Sequence, residues 1–526
     1  MITCPNCGGN PYFDIASQKM LCSYCHTYFD VETFPDENMG AEMHTENMQG
    51  DQPDMMEVNV YTCSQCGGQL MSMSREATAF CSYCGSHQIL EEKLSLMERP
   101  KHIIPFKITK EDCKKIYARK LRKHIFAPRG LKSPEHIEEF RGIYMPYWSY
   151  DYSQNDTISL NGTIEHREGD YRIIENYSLY VDANNQYKGI THDASTTFED
   201  NISESLSPYD TTQVKPFKSA YLSGFYADIP DVKMDVYEPE SAAMAARDTI
   251  DIIEKVNEFK RYKVKEYDDK AAIEKTHTQM EDANTAMFPV WFLSYRKKDR
   301  IAYAAINAQS GKMSADIPIS FGKYLLGSAL LAAIIWIILE FVNISSLRGL
   351  LLAVIFGAMA GSLVYAMVVF KLSENINNRK WESRLRSDGA FNNTNKNNIN
   401  KRHSSPGIGV ILIIWLILIA IALVLTFLDF GWGIAFEPFF CALFVQFGFN
   451  SDGPVRGRIS NWVLAVVTAI GAIIWAVNPY IDMLYYAICI LMMICVVWCF
   501  YDALYYYNQL MSRPLPQFDV IGGAHS

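Results

Sequence analysis

Eight of the thirteen cysteines are arranged as four Cys-x-x-Cys pairs: Cys4 and Cys7 with Cys22 and Cys25, then Cys63 and Cys66 with Cys81 and Cys84. Each quartet reads C-x2-C-x14-C-x2-C. Two short hairpins of this spacing bring four thiolates into a tetrahedron, the ligand set of a structural Zn2+ ion. A closed shell of four thiolates leaves no position for a reacting water, so two structural zinc ions and no catalytic metal are expected.

The repeat extends beyond the ligands. A shift of 59 residues carries Gly8-Gly9 onto Gly67-Gly68 and Ser23-Tyr24 onto Ser82-Tyr83. Glycines behind the second cysteine permit positive φ and turn backbone N–H groups toward sulfur. After the fourth ligand the copies differ, with His26 in one and Gly85 in the other. The competing reading is disulfides in a secreted protein; no signal segment precedes Cys4, and such pairs read as metal sites inside cells.

Around the modules the charge alternates. From Pro35 to Val60 the acidic residues Asp36, Glu37, Glu42, Glu46, Asp51, Asp54 and Glu57 meet no Lys or Arg, which predicts an acidic disordered linker and two ribbons strung on it as separate beads. From Lys101 to Lys132 eleven Lys or Arg face only Glu111 and Asp112. A basic helix is expected there, with Cys113, Ile116, Tyr117, Leu121, His124 and Ile125 on one stripe. Three readings compete for it: a solvated helix on its own domain, contact with anionic lipid through Lys114, Lys115, Arg119, Arg122 and Lys123, or nucleic-acid binding.

Residues 100–320 read as a cytosolic α+β domain. Strands are expected around Thr157–Ile164 and Tyr171–Val181 with a turn at His166–Asp170, and a hairpin at Val290–Tyr295 and Ile301–Ile306. Glu240–Thr278 carries the best helical stripe. Met145-Pro146-Tyr147-Trp148 and Phe288-Pro289-Val290-Trp291 echo each other, either as related core strands or as the wall of an aromatic groove. No nucleophile–base constellation stands out; His87, His102, His124 and His136 read as solvated or supporting residues, so no enzyme is expected.

Beyond Ile319 apolar segments recur: Tyr324–Val342, Leu350–Phe370, Ile408–Leu428, Gly433–Phe449, Trp462–Val477 and Met483–Phe500. A run of about 20 apolar residues spans a hydrocarbon core of about 30 Å. Eight cations between Lys371 and Arg402, against Arg348 alone in the preceding connection, place both termini in the cytosol of a multi-pass cell-membrane protein. Glu437, beside Pro438, is the best candidate for a transport role.

The paired Cys-x-x-Cys ribbons, Ile103-Ile104-Pro105-Phe106, Phe126-Ala127-Pro128, Tyr144-Met145-Pro146-Tyr147-Trp148, and Phe288-Pro289-Val290-Trp291 followed by Asn307 and Gly311-Lys312 together resemble a group of poorly characterised bacterial multi-pass membrane proteins with N-terminal zinc ribbons. Members are named for zinc ribbons like that of transcription factor IIB, and sometimes for the primosomal helicase. The resemblance implies zinc and a layout, and no established activity. A helicase would need a nucleotide-cradling loop and a paired-carboxylate motif, and neither GxxxxGK[ST] nor a DExH-like run occurs in the soluble part.

The expected architecture is therefore multi-domain. It comprises zinc ribbon 1 (1–34), the acidic linker (35–60), zinc ribbon 2 (61–95), the α+β domain (100–320), an all-α bundle of about six transmembrane helices (321–508) and a cytosolic tail (509–526). The expected function is a membrane-anchored, non-catalytic adaptor or sensor that binds a protein partner through the ribbons or an anionic surface through the basic helix. A transporter or channel with a regulatory zinc-ribbon domain, and a nucleic-acid-binding protein, are the alternatives.

Overall fold

The computed structural model describes residues 2–34, 54–73, 81–87, 91–197, 200–342, 350–351, 354–355, 357–358, 455–477 and 480–518. They fall into two units. One comprises Met1–Lys123, Gly130–Ala315 and Pro514–Ser526; the other comprises His124–Arg129 and Asp316–Arg513.

The first unit is built on a large mixed sheet. Its centre is an antiparallel hairpin of exceptional length, Arg141–Glu168 with Tyr171–Asp193, which turns where Gly169 adopts φ +60°. The strand Gln279–Lys297 lies antiparallel on the other side of Arg141–Glu168, pairing Met145 with Phe288 and Pro146 with Met287. The two sequence echoes are thus neighbouring core strands, with Tyr147 stacked on Phe288 at 4.6 Å between ring centroids. The chain then returns as Arg300–Asn307, register-paired to Val290–Lys297 around Lys298, whose φ is +56°.

The helix Lys110–Lys123 buries Cys113, Tyr117 and Leu121 and exposes most of its cations, as the stripe predicts, but it ends before His124 and leaves Ile125 exposed. The helix Glu238–Lys255 is shorter than its sequence stripe suggests. Val256 leaves the helical region, and the chain crosses back so that Lys263–Val264 can pair with Gly162 and Thr163, burying Val264 with Ile158, Leu160, Leu179 and Ile253. Strand pairing there outweighs continued helix. Asp269–Thr276 forms a separate helix, capped by Asp268 and ended by His277 in the left-handed region. Between helix and sheet, the buried Gln154 amide donates to Thr278 and accepts from Thr249 and Asn185, so a polar group inside the core has its partners.

One boundary differs from expectation. Met55–Thr62, largely inside the segment read as acidic linker, is a strand. It pairs with Glu91–Glu98 on one side and with Gln69–Ser72, from the second ribbon, on the other. Met56, Val58 and Val60 are buried on one face and Tyr61 on the other, and this burial outweighs the surrounding negative charge. Residues 35–53 lie outside the described residues.

In the second unit, Val455–Val477 and Asp482–Leu510 are helices. Leu464 and Val467 on the first pack with Tyr485, Ile488, Cys489 and Met492 on the second. The all-α bundle of about six transmembrane helices, and the multi-pass cell-membrane location with both termini cytosolic, are corrected here. Among the described residues one helix, Asp482–Leu510, is long and apolar enough to cross a membrane, Trp462–Trp475 is a shorter apolar stretch, and most described residues belong to the mixed sheet unit. Hydropathy counts length and composition, whereas apolar faces here are also buried by neighbouring helices. Ile408–Leu428, Gly433–Phe449 with Glu437, and the Lys371–Arg402 connection lie outside the described residues.

Candidate metal centres

Both cysteine quartets close. In each, the four Sγ atoms lie within 4.8 Å of one another. Sulfur pairs stand at 3.7 Å (Cys4 and Cys25) and 3.5 Å (Cys7 and Cys22) in the first, and at 3.8 Å (Cys63 and Cys84) and 3.7 Å (Cys66 and Cys81) in the second. A disulfide would need about 2.05 Å. A tetrahedral ion with metal–sulfur bonds of about 2.3 Å places its sulfurs about 3.8 Å apart. The donor set and spacing therefore fit a tetrahedral metal ion, with Cys4, Cys7, Cys22 and Cys25 holding one and Cys63, Cys66, Cys81 and Cys84 the other.

The backbone repeats the same turn four times. The N–H groups of Cys4, Cys22, Cys63 and Cys81 donate to the carbonyls of Gly9, Thr27, Gly68 and Ser86. The N–H groups of Gly8, His26, Gly67 and Gly85 donate back to the carbonyls of those cysteines. Those last four residues have φ of +74°, +55°, +73° and +66°. The sequence difference between His26 and Gly85 is thus a non-glycine residue in a conformation that the other three knuckles fill with glycine.

Four thiols so close cannot all ionise on their own. In the second quartet, hydrogen bonds from Cys81 to Cys63 and from Cys66 to Cys84 hold Cys63 and Cys84 below the usual thiol range. The first of these contacts, seen from the other side, pushes Cys81 up. A divalent cation would relieve this conflict by taking all four as thiolates.

The two modules are mounted differently. The first is a three-stranded sheet of Pro11–Asp14, Lys19–Cys22 and Tyr28–Phe29. Its register sorts two rows: Phe13, Met20 and Phe29 on one face, Tyr12, Leu21 and Tyr28 on the other. The first row faces inward. Phe13 meets Tyr221 edge-on at 5.2 Å, and its N–H donates to Ser223. Gln18 reaches the Phe106 carbonyl at 2.8 Å, and Lys218 pairs with Glu32. The second row is left outside, Tyr12 39 % and Tyr28 53 % exposed, with Tyr24 beside them at 74 %. Instead of hanging on the linker as a bead, the module docks through one face.

The second module is part of the sheet itself. Gln69–Ser72 pairs with Tyr226–Asp228, which runs parallel beside Ile143 and Tyr144 of the central strand. Its four cysteines are buried in one cluster with Tyr61, Leu70, Ile143, Tyr147, Phe288 and Tyr303. The Tyr303 hydroxyl donates to the Tyr83 carbonyl at 2.7 Å. Beside it lies Asp228, wholly buried, which accepts from Ser195 and Thr197; burial raises its carboxyl to about 6 despite those hydrogen bonds. Sequence reasoning missed Asp228, since a lone Asp ending a three-residue strand carries no local signal.

The other candidates are more ordinary. Lys114 pairs with Glu138 at 2.7 Å and Lys115 with Asp112 at 2.9 Å, so two of the five cations proposed for lipid contact are engaged within the domain. Arg119, Arg122 and Lys123 are exposed on the last turns, where cations complement the helix dipole. His136 is buried rather than solvated, with Nδ1 3.1 Å from Glu139, and desolvation lowers its pKa.

No protein-family model matches the chain, and no solved structure matches it. The uncharacterized protein YdjG of Bacillus subtilis (strain 168) is 29 % identical over 326 residues, 61 % of this chain and 90 % of its own length. The chain is therefore similar to a poorly characterised bacterial protein and carries two four-cysteine clusters able to hold metal ions.

Proposed function

We propose that this chain is a non-catalytic zinc-ribbon adaptor in which two structural Zn2+ ions hold two modules on a sheet domain, and the first module meets a protein partner. Thiolate-only, closed tetrahedral shells favour zinc and leave no open coordination site for chemistry. The observation that carries the partner reading is the sorted first module. Having buried Phe13 and Met20, with Phe29 half-buried beside them, it still presents Tyr12, Leu21, Tyr28 and Tyr24 outward. Exposed tyrosines grouped on a rigid scaffold supply contact area at little entropic cost, which suits protein recognition. The nucleic-acid reading is disfavoured at the same place, because Lys19, the one Lys or Arg of residues 1–34, is paired with Asp30 at 3.0 Å.

A photo-crosslinking residue at Tyr28 in the cellular protein tests this reading. A discrete protein adduct that Tyr12→Ser and Tyr24→Ser together abolish is expected. A yield of adduct from Tyr28 no greater than that from an exposed control position such as Tyr171 removes the adaptor reading.

A further inference from the structure

The two modules share a backbone but not their surroundings. In the second, the C-terminal segment Leu515-Pro516-Gln517-Phe518 lies across the Cys63–Gly68 knuckle. The Phe518 N–H donates to the Cys66 carbonyl at 2.7 Å. A Cβ at Gly67 would collide with the Phe518 carbonyl oxygen, and one at Gly68 would lie 3.2 Å from the Phe518 ring. That ring meets Tyr83 edge-on at 5.8 Å, and Leu515 packs on the same cluster. With glycine at both positions, the Phe518 backbone can approach the knuckle closely.

The first module keeps the same parts. Gly8 has φ +74° against +73° at Gly67. A Cβ at Gly9 would strike the Tyr24 ring at 2.5 Å, as one at Gly68 would strike Tyr83 at 2.7 Å. Here, however, among the described residues nothing lies within 4 Å of a Cβ at Gly8, Cys7 is exposed, and Tyr24 is open where Tyr83 is buried.

We propose that the knuckle Cys4–Gly9 with Tyr24 is a peptide-docking surface. It takes an extended segment of another protein that carries a large aromatic residue, in the geometry Phe518 adopts on the second module. The partner's amide hydrogen-bonds the Cys7 carbonyl and its ring packs edge-on to Tyr24. This rests on the adaptor reading and specifies its ligand: the tail shows which peptide chemistry this knuckle accepts. In the second module that ligand is supplied in cis, where tethering gives it an effective concentration near the millimolar range, so the free site is the first one.

The test titrates the full-length zinc-loaded protein with a fluorescent peptide of the sequence 512–520. Saturable binding is expected, weakened at least about tenfold when the peptide carries Phe518→Ala. Gly8→Asn should weaken it as much while two Zn2+ are retained, since Asn tolerates left-handed backbone but fills the open space. Tyr24→Ala is a second variant that leaves the Cys4–Gly9 backbone sequence unaltered. Three outcomes overturn the proposal: no saturable binding below about 1 mM, binding indifferent to the peptide's phenylalanine, or binding lost with Gly67→Asn but not with Gly8→Asn or Tyr24→Ala. A peptide failure with the Tyr28 adduct intact would sink this inference alone, whereas loss of both would sink the adaptor reading as well.

Discussion

At the scale of single residues, the position four after each leading cysteine shows how one backbone demand is met by different side chains. Gly8, Gly67 and Gly85 take a left-handed conformation without cost, while His26 takes it at φ +55°, against a steric penalty of about 1–2 kcal/mol for an L-residue. His26→Gly should therefore be neutral to about 1 kcal/mol stabilising, read as the midpoint of urea unfolding with zinc held constant. Gly67→Ala should destabilise by more than that penalty, because its Cβ also meets the Phe518 carbonyl. Asp228 makes the other prediction at this scale. Its folded carboxyl, raised by burial to about 6 from 3.8, favours the protonated form. That contribution is complete below about pH 4 and is lost as pH rises through 6, roughly 3 kcal/mol at about 1.4 kcal/mol per unit. Unfolding midpoints between pH 4 and 7 should show that slope in the natural protein and lose it in Asp228→Asn. Parallel curves for the two would remove Asp228 as its source.

At the scale of elements, the two ribbons are chemically alike and mechanically different. Cys22 sits in a module docked through Phe13, Gln18 and Glu32, whereas Cys81 is inside the cluster that joins the module to the central strands. Cys22→Ser should melt the first module and leave the sheet's cooperative transition nearly unchanged. Cys81→Ser should lower that main transition by several kcal/mol, since metal-ligand energy there is folding energy for the sheet. Thermal unfolding followed by far-UV circular dichroism distinguishes them; equal shifts in the main transition would mean that the second module is not integral to the sheet. The basic helix illustrates the same point more quietly. Its buried stripe was legible from spacing, but Lys114 and Lys115 find carboxylates on and near the helix that spacing does not reveal.

At the scale of the whole molecule, the full-length protein should bind two Zn2+ per chain under reducing conditions. A strong chelator should remove the first with little loss of secondary structure and the second only with partial collapse of the sheet, because Cys7 is exposed and Cys25 half-buried while all four ligands of the second quartet are buried. Metal analysis across a chelator titration, with circular dichroism in parallel, reads both steps. A single simultaneous loss would show that the two centres are coupled.

The sequence by itself determined the two four-cysteine clusters able to hold a metal ion, because eight cysteines at fixed spacing already state the donor set and its repeat. It also showed the 171 and 301 hairpins and the buried stripe of the basic helix, since period and turn residues are local properties. It did not show that the second ribbon is a piece of the large sheet. Pairing of Met71 with Ala227 and of Ala227 with Tyr144 joins residues more than 80 apart, and no local pattern encodes such a partner. The same reason hid the tail on Gly67, the burial of Asp228, and the interruption of the helix stripe after Lys255 by the return of Val264 to Gly162. Hydropathy likewise counted apolar segments without knowing what each would lie against, and the number of spans it suggested was overturned. Which apolar face is covered, and by what, is decided by contacts distant in sequence, and those exist only in the folded chain.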